Sequence, residues 1–194
     1  MHDNIETGRA IRIFLTGVGG QGTLLATRLI GEAALAEGLA VTISEIHGMA
    51  QRGGVVESSV VIGHCFSPTI ADGDADILVA FEPLEALRAL RKCHSHSHVI
   101  SSRIPILPFT VATGQNTYPE FTVVDDLIQS RVERLLWVDI AGLARKAGSD
   151  KAANIVIVGA LAGIGELPIS DYSWKQALKM VIPRASYRGE PQRF

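Results

Sequence analysis

The sequence predicts a three-layer α/β/α fold around a mixed, mostly parallel sheet. Two observations carry this. Short β-branched runs alternate with helical patterns along the chain. The strand runs are apolar almost throughout, as strands buried on both faces are. With 194 residues, the chain fits one domain at roughly 100–200 residues each. We take residues 1–194 as that domain, with a core over about 10–165 and a helical extension over 166–194.

The elements follow in order. "IRIFLTG" (11–17) reads as a buried strand. "QGTLLATRLIGEAALAEG" is a helix in which Leu25, Leu29, Ala33 and Ala36 share a face and Gly38 supplies the stop. "LAVTISE" is a second strand, completing a β-α-β unit whose crossover should be right-handed. "VVESSVVIG" (55–63) and "DILVAF" (76–81) are further strands. "EPLEALRALRK" is a helix with Pro83 in its first turn, where the missing N–H costs little, and with Leu84, Leu87 and Leu90 toward the core. "CHSHSH" reads as an exposed polar turn entering the strand "HVISS". Residues 103–120 are loop-like and "FTVVDD" is a short strand. "RLLWVDIAGLARKAG" is a strand passing into a helix that ends at Gly148. "KAANIVIVGALAGIGELP" is a small-residue helix or buried segment and "SWKQALKMVIP" a final amphipathic helix.

Composition removes several function classes. Net charge is -2, with no basic footprint for nucleic acid or an anionic membrane. The longest apolar runs fall short of the ~20 residues that span a bilayer, and "MHDNIETGRA" is polar and unlike a signal peptide. Cys65 and Cys93 form no CxxC, which fits a reducing compartment. A cytoplasmic protein is expected.

Two stretches carry the candidate chemistry. "GVGGQG" matches G-x-G-x-x-G through Gly17, Gly19 and Gly22, with Gly20 and Gln21 inside the motif. Small residues permit a tight turn, and the helix behind it offers free N–H groups to an anion. The same turn also serves where a strand and helix simply pack closely. "EIHGMAQRGG" follows the second strand and should lie beside the glycine turn, at the edge where α/β sheets bind ligands. Glu45 stands where a dinucleotide site keeps its ribose-binding acid. Ribose recognition does not need His47, Gly48, Met49, Gln51, Arg52, Gly53 and Gly54 as well. Arg52 can clamp a carboxylate or phosphate, and His47 can donate to an oxyanion. Equally, the loop can be a rigid surface held against a partner, with Met49 as an adaptable contact and the glycines permitting close approach. No catalytic acid/base pair is assigned. Glu82 and Glu85 complement a helix N-terminus, and Glu82 also lies on the ligand-prone edge. His94, His96 and His98 alternate, but a zinc site needs about four ligands, so no metal is assigned to them.

"GVGGQGTLLATRLIGEAA", "SEIHGMAQRGG", "DILVAFEPLEALRAL" and "KAANIVIVGALAG", in this order and spacing, together resemble the gamma-type subunits of 2-oxoacid:ferredoxin oxidoreductases, above all the indolepyruvate type. The resemblance implies a Rossmann-like domain. It implies an enzyme complex that decarboxylates a 2-oxoacid oxidatively with coenzyme A, giving acyl-CoA, carbon dioxide and reduced ferredoxin. Thiamine diphosphate with Mg2+ and the iron–sulfur clusters are expected on a large partner subunit. This chain alone is expected to bind neither, since two cysteines cannot hold a cluster that takes typically four. A stand-alone nucleotide binder or NAD-dependent dehydrogenase is the alternative. An exposed partner face is also compatible with a homodimer.

Overall fold

A computed structural model describes residues 9–47, 54–106, 111, 114, 117–149 and 152–182. Six strands form one sheet: β1 (Ile11–Val18), β2 (Val41–His47), β3 (Val55–Ile62), β4 (Ala75–Ala80), β5 (Cys93–Ser102) and β6 (Arg134–Val138). Their spatial order is β2-β3-β1-β4-β5-β6. The helices are α1 (Thr23–Ala36), α2 (Pro83–Ala89), α3 (Phe121–Gln129), α4 (Ile140–Lys146), α5 (Ala153–Gly163) and α6 (Asp171–Val181). β1, β4, β5 and β6 pair in parallel, whereas β3 runs antiparallel to both β1 and β2. The mixed, mostly parallel sheet expected from the sequence is therefore present.

The period-2 alternation of β1 divides the core into two layers. Ile13 and Leu15 enter one cluster with Leu29, Ile30 and Ala33 of α1, Ile157 and Leu161 of α5, and Trp174 and Ala177 of α6. Phe14 faces the other side with Ala86 and Ala89 of α2 and Val124 and Ile128 of α3. Because β1 and β4 are buried on both faces, their residues are mostly apolar without alternation.

Four sequence expectations are corrected. First, β1 and β2 are not neighbours, because β3 lies between them. The chain turns back after β2 as a hairpin, and β3, buried from Ser58 to Ile62, occupies the gap. Second, "FTVVDD" is helix α3, not a strand. Its β-branched residues favour a strand locally, but Val124 and Ile128 fall at i, i+4 and both bury fully, so tertiary packing decides. Third, "CHSHSH" belongs to β5 instead of forming a turn. An irregularity in the β4–β5 register between Ala75 and Ile77 absorbs it, and Ser97 stabilises it by accepting from His94 N (2.8 Å) and donating to Ala75 O (2.6 Å). Fourth, α2 buries Pro83, Glu85, Ala86 and Ala89, while Leu84, Leu87 and Leu90 are only half-buried. The helix lies so close to the sheet that alanines, not leucines, fit beneath it. In α1 likewise Ala36 is exposed, and the buried stripe runs Ala26, Leu29, Ile30, Ala33, Ala34.

α1 ends as its sequence indicates. Gly38 takes φ 80, and its N–H and that of Leu39 bond back to Leu35 O and Ala34 O at 2.9 Å each, closing the helix with a left-handed glycine. Glu37, at that end, accepts from Ser170 N (2.8 Å) and Ser170 Oγ (2.6 Å). Ser170 caps α6, so one carboxylate ties the end of α1 to the start of α6. These bonds, the Ser170 hydroxyl foremost, hold the Glu37 carboxyl below the 4.5 of an unperturbed glutamate. Its folded-state value is depressed, so its stabilisation is full above pH 4.5 and lost as pH falls through the folded value. In urea titrations, Glu37→Gln should lower the midpoint at neutral pH. The gap to wild type should close progressively below pH 4.5; a gap independent of pH would show the carboxylate plays no part.

Candidate functional site

The carboxyl ends of the parallel strands converge on a break in connectivity. β1 leads through α1 toward β2 on one side, and β4 leads through α2 to β5 on the other. Such switch points open a crevice at the sheet edge. Here a cleft of about 400 Å3 opens there, walled by Gly20, Gln21, Gly22, Phe81, Ile104 and Ile106 and closed by Ile140, Ala153 and Asn154.

Gln21 holds the glycine turn in place. Its Oε1 accepts from Val18 N (2.6 Å) and its Nε2 donates to Phe81 O (2.8 Å). Both β1 and β4 are thereby tied to one side chain. Gly17 makes room for it, since a Cβ there would lie 2.9 Å from Gln21 Oε1 and 3.0 Å from Phe81 Cβ. Gly22 is left-handed at φ 81, and a Cβ on it would approach Asn154 Nδ2 to 2.6 Å. The third glycine of the motif therefore admits the Asn154 side chain from α5. Gly22 also stands at the N-cap of α1 with no side-chain cap, and α5 likewise has none. α1 thus presents uncapped N-terminal N–H groups near the cleft, the positive end of its dipole, whereas in the first turn of α5 Asn154 Oδ1 accepts from Ile155 N (3.0 Å).

The "EIHGMAQRGG" residues divide. Gly54 O accepts from Gly19 N at 2.9 Å, so the returning leg of the hairpin does touch the glycine turn, as expected. Glu45 does not. It pairs with Ser58 of β3, which pairs with Leu15 of β1, so two strand spacings, about 10 Å, separate it from β1. Its side chain is exposed beside Ile43 and Arg28. The inserted β3 thus takes the ribose-binding acid of the nucleotide alternative away from the turn. His47 ends β2 opposite Val56. Gly48, Met49, Gln51, Arg52 and Gly53 lie outside the described residues.

On the other flank, Glu82 is 1% exposed. Its Oε2 caps α2 by accepting from Glu85 N (2.9 Å), and its Oε1 accepts from Tyr118 OH and from Ile106 N (3.3 Å). It therefore fixes the Ile104–Ile106 wall of the cleft. Burial, then contact with Glu82, pushes the Tyr118 hydroxyl far up, so Tyr118 remains a donor. Glu85 is also buried, which raises its carboxyl despite Arg88 at 2.6 Å. Neither Glu82 nor Glu85 lines the cleft.

Among the described residues, the lining carries apolar, amide and hydroxyl groups that can bind and orient a ligand. Burial pushes the Cys93 thiol up to about 11, away from the thiolate form that ligates metal. Among the described residues, no three His, Cys, Asp or Glu side chains group to hold a metal. The three alternating histidines part company. His98 is buried against Glu166 (3.3 Å), His96 faces Glu133 (3.6 Å) and His94 faces Asp76 (3.7 Å). Among the described residues no helix is long and apolar enough to cross a membrane.

The fold is a doubly wound α/β domain with a mostly apolar cleft at its switch point. The comparisons with known proteins say which such domain it is. The profile of the pyruvate ferredoxin/flavodoxin oxidoreductase family matches residues 12–188, and the chain belongs to this family. It is 37% identical over 171 residues to an indolepyruvate oxidoreductase subunit IorB of Methanothermobacter thermautotrophicus, covering 88% of this chain and 87% of that protein. It is 38% identical to the IorB subunit of Archaeoglobus fulgidus, covering 87% and 84%. Among solved structures it resembles the gamma subunit of a keto/oxoacid ferredoxin oxidoreductase from Geobacter sulfurreducens, with TM-score 0.64 at 22% identity over 90% of this chain and 88% of that one. The fold expected from the sequence is shared with that subunit.

Asn154 and the Ile104–Ile106 wall were not singled out from sequence. The one available signal for Asn154 was a lone amide in the otherwise apolar "AANIVIVGALAG". Gly22→Ala should cost about 1–2 kcal/mol for its left-handed backbone and more for displacing Asn154. Gly20→Ala, at φ 97 with nothing within 4 Å of its Cβ, should pay the backbone cost alone. Denaturant midpoints of the two variants measure the difference; equal midpoints would remove the Asn154 contact from the account.

Proposed function

We propose that the chain is the non-cofactor subunit of a 2-oxoacid:ferredoxin oxidoreductase that acts on an aryl pyruvate such as indolepyruvate. It works with a large subunit to convert the 2-oxoacid and coenzyme A to acyl-CoA, carbon dioxide and reduced ferredoxin. The observation that carries this is the likeness, at 37% identity and over nearly the whole of both chains, to a subunit named for indolepyruvate. Thiamine diphosphate with Mg2+ supplies the carbanion chemistry on the partner, and its iron–sulfur clusters carry the electrons.

What this chain's own residues contribute is binding and presentation. The uncapped N-terminus of α1 and the turn at Gly20 and Gly22 suit a phosphate-bearing group. The apolar wall of Phe81, Ile104, Ile106 and Ile140 suits the body of a ligand. We assign this cleft to coenzyme A. A 2-oxoglutarate:ferredoxin oxidoreductase of Magnetococcus marinus, with coenzyme A and succinyl-CoA bound, contains a region of the same fold, with TM-score 0.62; the match covers 27% of that chain. We assign His47, Met49, Gln51 and Arg52 to the face that meets the large subunit. Two free cysteines accord with a reducing cytoplasm.

Co-expression with the large subunit tests this. The purified chain should hold no iron or thiamine and reduce no dye, and the two-subunit complex should reduce a viologen dye when indolepyruvate and coenzyme A are added. Decarboxylation of a 2-oxoacid by the chain alone would overturn the reading, as would a complex that ignores aryl pyruvates.

A further inference from the structure

Among the described residues, one face is unused by the site: the outer side of α1 and the edge of β2. Leu24, Arg28, Glu32 and Leu35 fall on one helical stripe, at i, i+4, i+8 and i+11. Leu24 is 39% and Leu35 57% exposed, where a solvated helix face would carry polar groups. They border a groove of about 430 Å3 that also takes in Ile43 and Glu45 of β2. β2 ends the sheet and runs for seven residues with no proline, lysine or register break. Those are the devices that normally blunt an open edge.

Both elements are self-complementary about one point. When α1 is laid antiparallel on its own copy, Leu24 meets Leu35 and Arg28 meets Glu32, each twice, about a midpoint near Leu29 and Ile30. Within one chain Arg28 Nε and Glu32 Oε1 stand 4.0 Å apart, on the outer side of the helix, so each remains able to pair across. Antiparallel pairing of β2 with its copy is centred on Ser44. The two midpoints lie close in space, because Gly31, next to Ile30, lies against Ile43, next to Ser44: a Cβ on Gly31 would stand 2.5 Å from Ile43 Cδ1. A single two-fold axis therefore satisfies helix and strand together, as an isologous interface requires.

We propose that this face docks a second copy of the same chain, with β2 pairing to β2 and α1 packing on α1. Charge complementarity across the axis selects a copy of this chain as the occupant. The six-stranded sheet then continues into its partner, and Glu45 lies in the dimer seam instead of at a ribose.

Light scattering of the full-length chain, together with charge-reversal variants, tests the proposal. Wild type should have twice the monomer mass. Arg28→Glu places two Glu–Glu pairs across the axis and Glu32→Arg two Arg–Arg pairs, so each should weaken association on the order of tenfold or more. An equimolar mixture of the two variants restores both opposite-charge pairs and should dimerise again, as should the double variant R28E/E32R. Recovery on mixing is a gain that a misfolded variant cannot give. A monomeric wild type, a single variant that dimerises as wild type does, or a mixture that stays monomeric would overturn the proposal. So would burial of Leu24 and Leu35 by the large subunit alone.

Discussion

The candidate site depends on one side chain, that of Gln21. It sits inside the glycine turn, accepts from Val18 and donates to Phe81, and so joins the ends of β1 and β4 where their connections diverge. An additional backbone bond, Phe81 N to Thr16 O at 2.9 Å, aligns the same two strands. Gly17 is glycine because Gln21 needs the space, and Gly22 because Asn154 does. The room that a G-x-G-x-x-G turn gives to a phosphate in dinucleotide-binding domains is here partly filled by the protein's own amide. The open volume lies outward, between the turn and the Ile104–Ile106 wall.

The order of strands then sets what the site can do. Inserting β3 between β1 and β2 carries Glu45 to the sheet edge but brings Gly54 back against Gly19. A nucleotide-type turn therefore loses its ribose acid and gains a hairpin leg at its rim. Buried Glu82 braces the opposite rim through Tyr118 and Ile106. Among the described residues, the cleft that results is mostly apolar with amide and backbone donors.

Much of this was legible in the sequence because local and tertiary preferences agree. β1 and β4 carry buried runs that the packing confirms, α1 and α5 are helices where their sequences indicate them, and Gly38, Gly148 and Pro83 mark boundaries where the structure places them. The misreadings fall where long-range contacts outweigh local pattern. α3 is β-branched yet helical because Val124 and Ile128 are buried beneath it. "CHSHSH" is polar yet in strand because Ser97 bonds to Ala75, 22 residues earlier. The place of β3 was not readable, since a strand's neighbours are set by hairpin return and not by its composition. Asn154 reaches Gly22 from the far end of the chain, a proximity that no local spacing announces.

The central claim is that the cleft beside Gln21 is where this subunit holds coenzyme A. Calorimetric titration of the two-subunit complex with coenzyme A, comparing wild type with Ala153→Trp, tests it most directly, because an indole at 153 would fill space that the cleft provides. The account predicts that the variant loses coenzyme A binding while retaining the iron and thiamine content of the wild-type complex. Unchanged affinity for coenzyme A in a variant with its cofactors intact would contradict it.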